Sequence, residues 1–207
     1  MRPRTDDRFH ASRRSFLRAL ASLALWPAAG AAAGAAGRVE SLIGACLAEA
    51  GGAPRPLAEG SEIFVGDLVS AGENARLAML LGADTHVRLG ARTRLKIDRF
   101  IVSAGGELRF DSGPLVIDRD EGAPPLPLRA RSPYGMIALR GTRVFAGPSN
   151  GRFGVFVARG VVDFTAGGKT VRLTTGEGSD VRRPGDPPSP PARWSEPRAI
   201  EALQSVY

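Results

Sequence analysis

One imidazole, one thiol and a row of guanidinium groups hold most of the reactive chemistry beyond residue 37. His86 is the single histidine of that stretch, so a Ser-His-Asp device would have to be built on it. It lies between Thr85 and Val87 in a strand-like run, and no G-x-S-x-G elbow accompanies it. His86, Arg88, Arg92, Arg94 and Lys96 fall on outward positions between apolar residues. The expected product is a basic surface that either binds an anion or guards a strand edge. His86, Arg88, Arg94 and Lys96 are its candidate ligand-contacting residues. Asp118, Asp120 and Glu121 cluster in a Pro-rich segment, without the interleaved oxygen ligands and closing bidentate carboxylate of a calcium loop. Gly168-Lys169-Thr170 ends like a phosphate loop, but Asp163 stands where the leading Gly belongs, and the run reads as a hairpin. Cys46 has no partner for an intrachain disulfide or a cysteine-based zinc site. These residues form no catalytic constellation, and the expectation is a non-enzymatic protein with no cofactor and no metal.

The chain is organised around Ser132-Pro133-Tyr134-Gly135-Met136-Ile137-Ala138-Leu139-Arg140-Gly141-Thr142-Arg143-Val144-Phe145. A turn leads into an apolar strand, which Arg140-Gly141-Thr142 interrupts before it resumes. Glycine within a strand pattern marks a bulge or a close backbone approach. The expectation is one kinked strand pinned by Arg140, whose fork of donors suits backbone carbonyls. The other reading makes Arg140 an exposed anion or partner contact.

Short strands at close spacing surround this stretch. They are read near 63–65, 68–70, 75–81, 86–89, 94–97, 107–110 and 114–117, then at 153–158, 161–165, 169–174 and 179–181. Gly-Asp, Gly-Glu and Gly-Gly pairs punctuate them, and Gly167-Gly168 reads as a hairpin turn. Leu77, Met79 and Leu81 would share an inward face, as would Val87, Leu89, Leu95 and Ile97. The fold class is all-β: one domain of many short strands in a sandwich, a barrel or a twisted solenoid-like stack. Residues 119–129 read as an exposed loop within that domain.

The ends have a different composition. Ser12-Arg13-Arg14-Ser15-Phe16-Leu17-Arg18 resembles a twin-arginine export motif, with Ser12, Arg13, Arg14, Phe16 and Leu17 at its defining places. An apolar run at 19–29 and an Ala-rich segment with A-x-A choices follow, which is signal-peptide layout. That run is shorter than the ~20 apolar residues of a spanning helix. Residues 1–36 are therefore expected to be a cleaved signal peptide, and the mature protein to be periplasmic, with no stable membrane span. The leader also carries much of the charge. Of the formal +7, residues 1–37 contribute +4 through six Arg and two Asp. The remaining +3 argues against a nucleic-acid footprint. Residues 184–207 form a Pro-rich tail, read as an extended, disordered spacer with a short helix capped by Ser195. Trp194, Ile200 and Leu203 would anchor that tail on the domain or on a partner.

Residues 37–183 also resemble the FecR domain family. The resemblance rests on Pro133 and Gly135 in the turn, Arg140-Gly141-Thr142 in the strand, Gly66-Asp67 upstream and Gly176-Glu177 at the close. Ala83-Asp84-Thr85 departs from that family's Asp-Gly-Ser, but Asp tolerates the same turn. The resemblance implies an all-β periplasmic domain that contacts another envelope protein and takes part in regulation or signalling, with exposed strand edges as a means of contact. Better-known members carry a cytoplasmic helical segment and a membrane span before this domain. An envelope polysaccharide or anionic-ligand binder is the alternative.

Overall fold

The computed structural model describes residues 34–101, 104–124 and 126–207, which belong to one compact unit. Its strands are β1 (Ala35–Ile43), β2 (Cys46–Glu49), β3 (Arg55–Pro56), β4 (Glu62–Phe64), β5 (Leu68–Ala71) and β6 (Arg76–Leu81). Next come β7 (Thr85–Leu89), β8 (Arg94–Ile101), β9 (Gly105–Ser112), β10 (Leu115–Arg119), β11 (Leu128–Ser132) and β12 (Gly135–Leu139). The last are β13 (Arg143–Ser149), β14 (Arg152–Arg159), β15 (Val161–Ala166), β16 (Lys169–Thr174), β17 (Glu177–Val181) and β18 (Ala192–Arg193). Among the described residues there is one helix, α1 (Glu196–Gln204).

These strands form two nine-stranded sheets. The first runs β18-β17-β14-β13-β10-β7-β6-β1-β4, and the second β16-β15-β12-β11-β9-β8-β5-β2-β3. The chain crosses between sheets after every one or two strands, so both sheets grow in nearly chain order. That combines two of the expected architectures, the sandwich and the stack, and is no barrel: a sandwich built by accretion of short hairpins. Pairing is antiparallel except for β9 with β11, which run parallel because β10 intervenes in the opposite sheet.

Alternation fixes the inner faces. Leu77, Met79, Leu81, Val87, Leu89, Leu95 and Ile97 all lie in one core shared by both sheets, as their period-two spacing requires. Gly167 and Gly168 take φ of 50° and 75°, the left-handed pair that a two-residue hairpin turn demands between Ala166 and Lys169. Cys46 is buried on β2, where burial pushes its thiol pKa up and leaves it an inert small residue.

The first sheet is buried on its outer face as well. Val116, Phe145 and Phe156 pack there against Ala202 and Val206, with Trp194, Ala199 and Leu203 completing the cluster. Trp194 stacks on Phe156 at 5.1 Å, and the Arg198 guanidinium lies 3.6 Å from the indole centroid. A Cβ on Gly154 would come 2.8 Å from the indole, so a glycine is required under it. Arg198 also holds Asp180 with both terminal nitrogens, at 2.6 and 3.2 Å. The tail thus docks on its own domain. Two expectations change here. The Pro-rich spacer is held in place, with Ser189 N–H donating to the Asp180 carbonyl at 2.9 Å and Ser179 Oγ donating to the Ser189 carbonyl at 2.7 Å. Ile200 points to solvent, and Ser195 stands at the helix start without a side-chain capping bond.

The 119–129 segment is also less exposed than its prolines suggest. Arg119 is buried and forms a two-pronged pair with Asp84, at 2.7 and 3.0 Å, while also donating to the Pro124 carbonyl. Asp84, the departure noted in the hairpin, is therefore the anchor of this segment.

Candidate functional site

Most of the motif residues are consumed by the fold. Gly66 (φ 94°) and Gly176 (φ 86°) each occupy a turn position that favours glycine. The acid that follows each one bonds back to the amide three residues earlier. Asp67 Oδ2 accepts the Phe64 N–H at 2.9 Å and also takes Arg55, a pair in which the acid is buried and the guanidinium half-buried. Glu177 Oε2 accepts the Thr174 N–H at 2.8 Å and the Thr174 hydroxyl at 2.7 Å. Those hydrogen bonds hold the Glu177 carboxyl below its ordinary pKa. The Pro133-Gly135 turn is likewise structural. Ser132 Oγ accepts the Tyr134 N–H at 3.2 Å, and a Cβ on Gly135 would lie 2.4 Å from the Thr165 carbonyl.

Arg140-Gly141-Thr142 is different. The expected kinked strand is two strands, β12 and β13, in opposite sheets. Gly141 (φ 64°) turns the corner, and Thr142 is fully buried beyond it, against Gly160, which has no side chain to obstruct it. Arg140 pins nothing. It is exposed at the end of β12, and no ion pair or hydrogen bond engages it among the described residues.

What Arg140 does line is a trough of about 640 Å³ on the outer face of the second sheet. Strand register builds it. Arg129 on β11 pairs with Ala138 on β12, Ala138 with Asp163 on β15, and Asp163 with Arg172 on β16. All four are on outward positions, so they form one row across the sheet. Ala138 is the only small member and makes the floor. Arg172 donates to Asp163 through Nε at 3.0 Å and through a terminal nitrogen at 3.3 Å. This hydrogen-bonded pair, with Arg140 adding charge attraction, holds the Asp163 carboxyl below its ordinary pKa. Arg172 is raised in turn. Three guanidiniums and one carboxylate leave the trough at +2, and among the described residues Arg129 and Arg140 are the two not matched by a carboxylate.

The four candidate surface residues do not come together. His86 and Arg88 lie on β7 in one sheet, and Arg94 and Lys96 on β8 in the other. "Outward" on the two strands means opposite sides of the sandwich. His86 sits between Glu40 at 2.9 Å and Asp120 at 3.3 Å. Arg88 is covered by the Tyr207 ring, 4.6 Å from its centroid. Lys96 lies 3.6 Å from Asp98, and Arg92 pairs with Glu73 at 2.9 Å. The single basic surface expected from alternation is therefore replaced by the trough. The Gly167-Gly168 hairpin already set Asp163 opposite Arg172, but Arg129 fell in a segment read as a loop, and nothing local placed β11 and β12 beside that hairpin. The export-motif residues Ser12, Arg13, Arg14, Phe16 and Leu17 lie outside the described residues. Among the described residues, no group of three or more His, Cys, Asp or Glu is placed to hold a metal, and no helix is long and apolar enough to cross a membrane.

Residues 67–163 match the family described as FecR protein. The chain carries a FecR domain. The matched region runs from the buried acid of the first turn to the acid of the trough, and it includes Arg140-Gly141-Thr142. The second acid turn, at Glu177, follows the matched FecR region. The fold is similar to two crystal structures, at 1.65 and 2.50 Å resolution, of a candidate anti-sigma factor from Parabacteroides distasonis. Each has a TM-score of 0.53 and 18% identity over 66% of this chain, and the match spans 64% of that protein's length. No curated protein sequence matches the chain.

Proposed function

We propose that this protein is an exported, non-catalytic regulatory or signalling module of the cell envelope that works by binding another envelope protein. The FecR match and the anti-sigma-factor neighbours support the regulatory class. One observation carries the reading further. Of the FecR-motif residues with polar side chains, Asp67, Thr142 and Glu177 are built into turns and core, whereas Arg140 is left exposed on the rim of a trough. A side chain that the fold does not use, at a position the family motif specifies, is where a partner would make contact. The twin-arginine leader supplies the route to the envelope in this reading.

The edge of β16 is a weaker means of contact. It is six residues long and has a single ladder neighbour. However, Lys169 and Arg172 place charge along it, and Glu177 already occupies the Thr174 amide; this is how edges resist added strands.

The test is in-cell crosslinking of the tagged, exported protein, followed by pull-down and mass spectrometry. One envelope protein in stoichiometric yield, lost on Arg140→Glu, is expected. Recovery of glycan, or of no protein, overturns the reading.

A further inference from the structure

We propose that the trough over Ala138 is a carboxylate-binding cleft that receives an extended acidic segment of the partner, with Arg129 and Arg140 as its donors. This rests on the reading of the protein as a protein-binding module, and it specifies the chemistry of what is bound.

Ala138 is the one small side chain in the row. Neighbouring strands lie about 4.8 Å apart, so Arg129 and Asp163 rise on either side of the Ala138 methyl. Arg140 stands two residues further along the same strand, about 7 Å away. A group lowered onto Ala138 is therefore flanked by two guanidiniums that carry no carboxylate of their own. Arginine's planar fork matches a carboxylate with two parallel hydrogen bonds.

Asp163 would repel such a guest if it were free. Arg172 grips it with two nitrogens and offsets its charge, so the cleft keeps its positive balance next to an acid. The same pair fixes the far wall in position. Val161, 43% exposed, lies along the wall beside Gly160 and offers an apolar strip that is otherwise unexplained. Arg129 and Arg140 lie diagonally across adjacent strands. Side chains at i and i+2 of an extended peptide are spaced about 7 Å apart on one face, a comparable span. The cleft thus fits alternating acidic and small apolar residues in an extended conformation. The cavity of about 260 Å³ beside Tyr134 and Phe153 is a poorer receptor. Its two rings are stacked on each other at 4.5 Å, and its rim mixes Asp111 with Arg152 and Arg182.

The experiment titrates the full exported chain by calorimetry with the capped peptide Thr-Glu-Val-Glu-Val-Thr and with its Gln-for-Glu isostere. Saturable binding of the acidic peptide is expected, weakened about tenfold or more by the isostere and by Arg140→Gln. Ala138→Leu should give a similar loss with no change of charge, because it fills the floor. Arg94→Gln, on the same sheet but distant in strand order, should bind as the wild type does. Thermal unfolding of each variant separates loss of binding from loss of fold, and Arg140→Gln, at an exposed strand end, stands as the test if Ala138→Leu is destabilised. No binding, equal binding of the isostere, or tighter binding of inorganic phosphate or a uronic-acid oligosaccharide than of the peptide overturns the proposal. A crosslinked envelope partner retained by both Arg140→Gln and Ala138→Leu overturns this cleft alone and leaves the protein-binding reading in place. Recovery of no envelope protein overturns that reading instead.

Discussion

Two carboxylates, Asp67 and Glu177, perform the same task at different depths. Each follows a left-handed glycine and accepts the amide three residues back. Asp67 does so inside the protein with Arg55 as counter-ion, so its loss is the costlier. Asp67→Asn keeps the shape and removes the charge, and should lower stability by about 2 kcal/mol, measured by urea unfolding. Glu177 does so at the surface, where pH rather than burial reveals it. Its carboxyl pKa is lower in the folded chain than in the unfolded one. The stabilisation is therefore fully present above the ordinary carboxylate pKa and is lost as pH falls through the lowered value. The melting temperatures of wild type and Glu177→Gln should differ at pH 7 and converge in strong acid. Both turns were readable as Gly-acid pairs, because only a few residue types suit a left-handed position. The role of Arg140 was not readable. Whether a guanidinium is paired depends on what the neighbouring strands place beside it, and here the acid of the trough, Asp163 on β15, is already held by Arg172.

Strands were legible where apolar and polar residues alternate, and their turns where glycine recurs. The assignment of each strand to a sheet was not. β7 and β8 have the same inward–outward pattern, but the turn between them crosses the sandwich, which sends Arg88 and Arg94 to opposite sides. A period of two tells in from out and does not tell which of two outsides is meant. The same limit hid the seat of α1. β13 and β14 are apolar on both sides, which read simply as strand, and only the fold shows a helix on their outer face. That seat makes a sharp prediction. Gly154→Ala would push a methyl to within 2.8 Å of the indole and should lift Trp194 off Phe156. In the chain beginning at Gly37, Trp194 is the only tryptophan, so a red shift of its emission, with little change in far-ultraviolet circular dichroism, is the expected reading.

One continuous core links both sheets, so residues 37–183 should unfold in a single cooperative step. Removing residues 184–207 uncovers Val116, Phe145 and Phe156 without touching that core. The shortened chain should still melt cooperatively, on the order of 10 °C lower, and should bind a hydrophobic dye that the full chain does not. The stack has a second property, one of distance. Because the sheets accumulate in nearly chain order, β1 lies near one end of the ladder and the Arg129–Arg172 row near the other. At about 4.8 Å per strand, roughly 25–30 Å separates them. A label fixed at the start of β1 therefore sits at the foot of a short boom, with the trough carried at the tip, clear of the point of labelling.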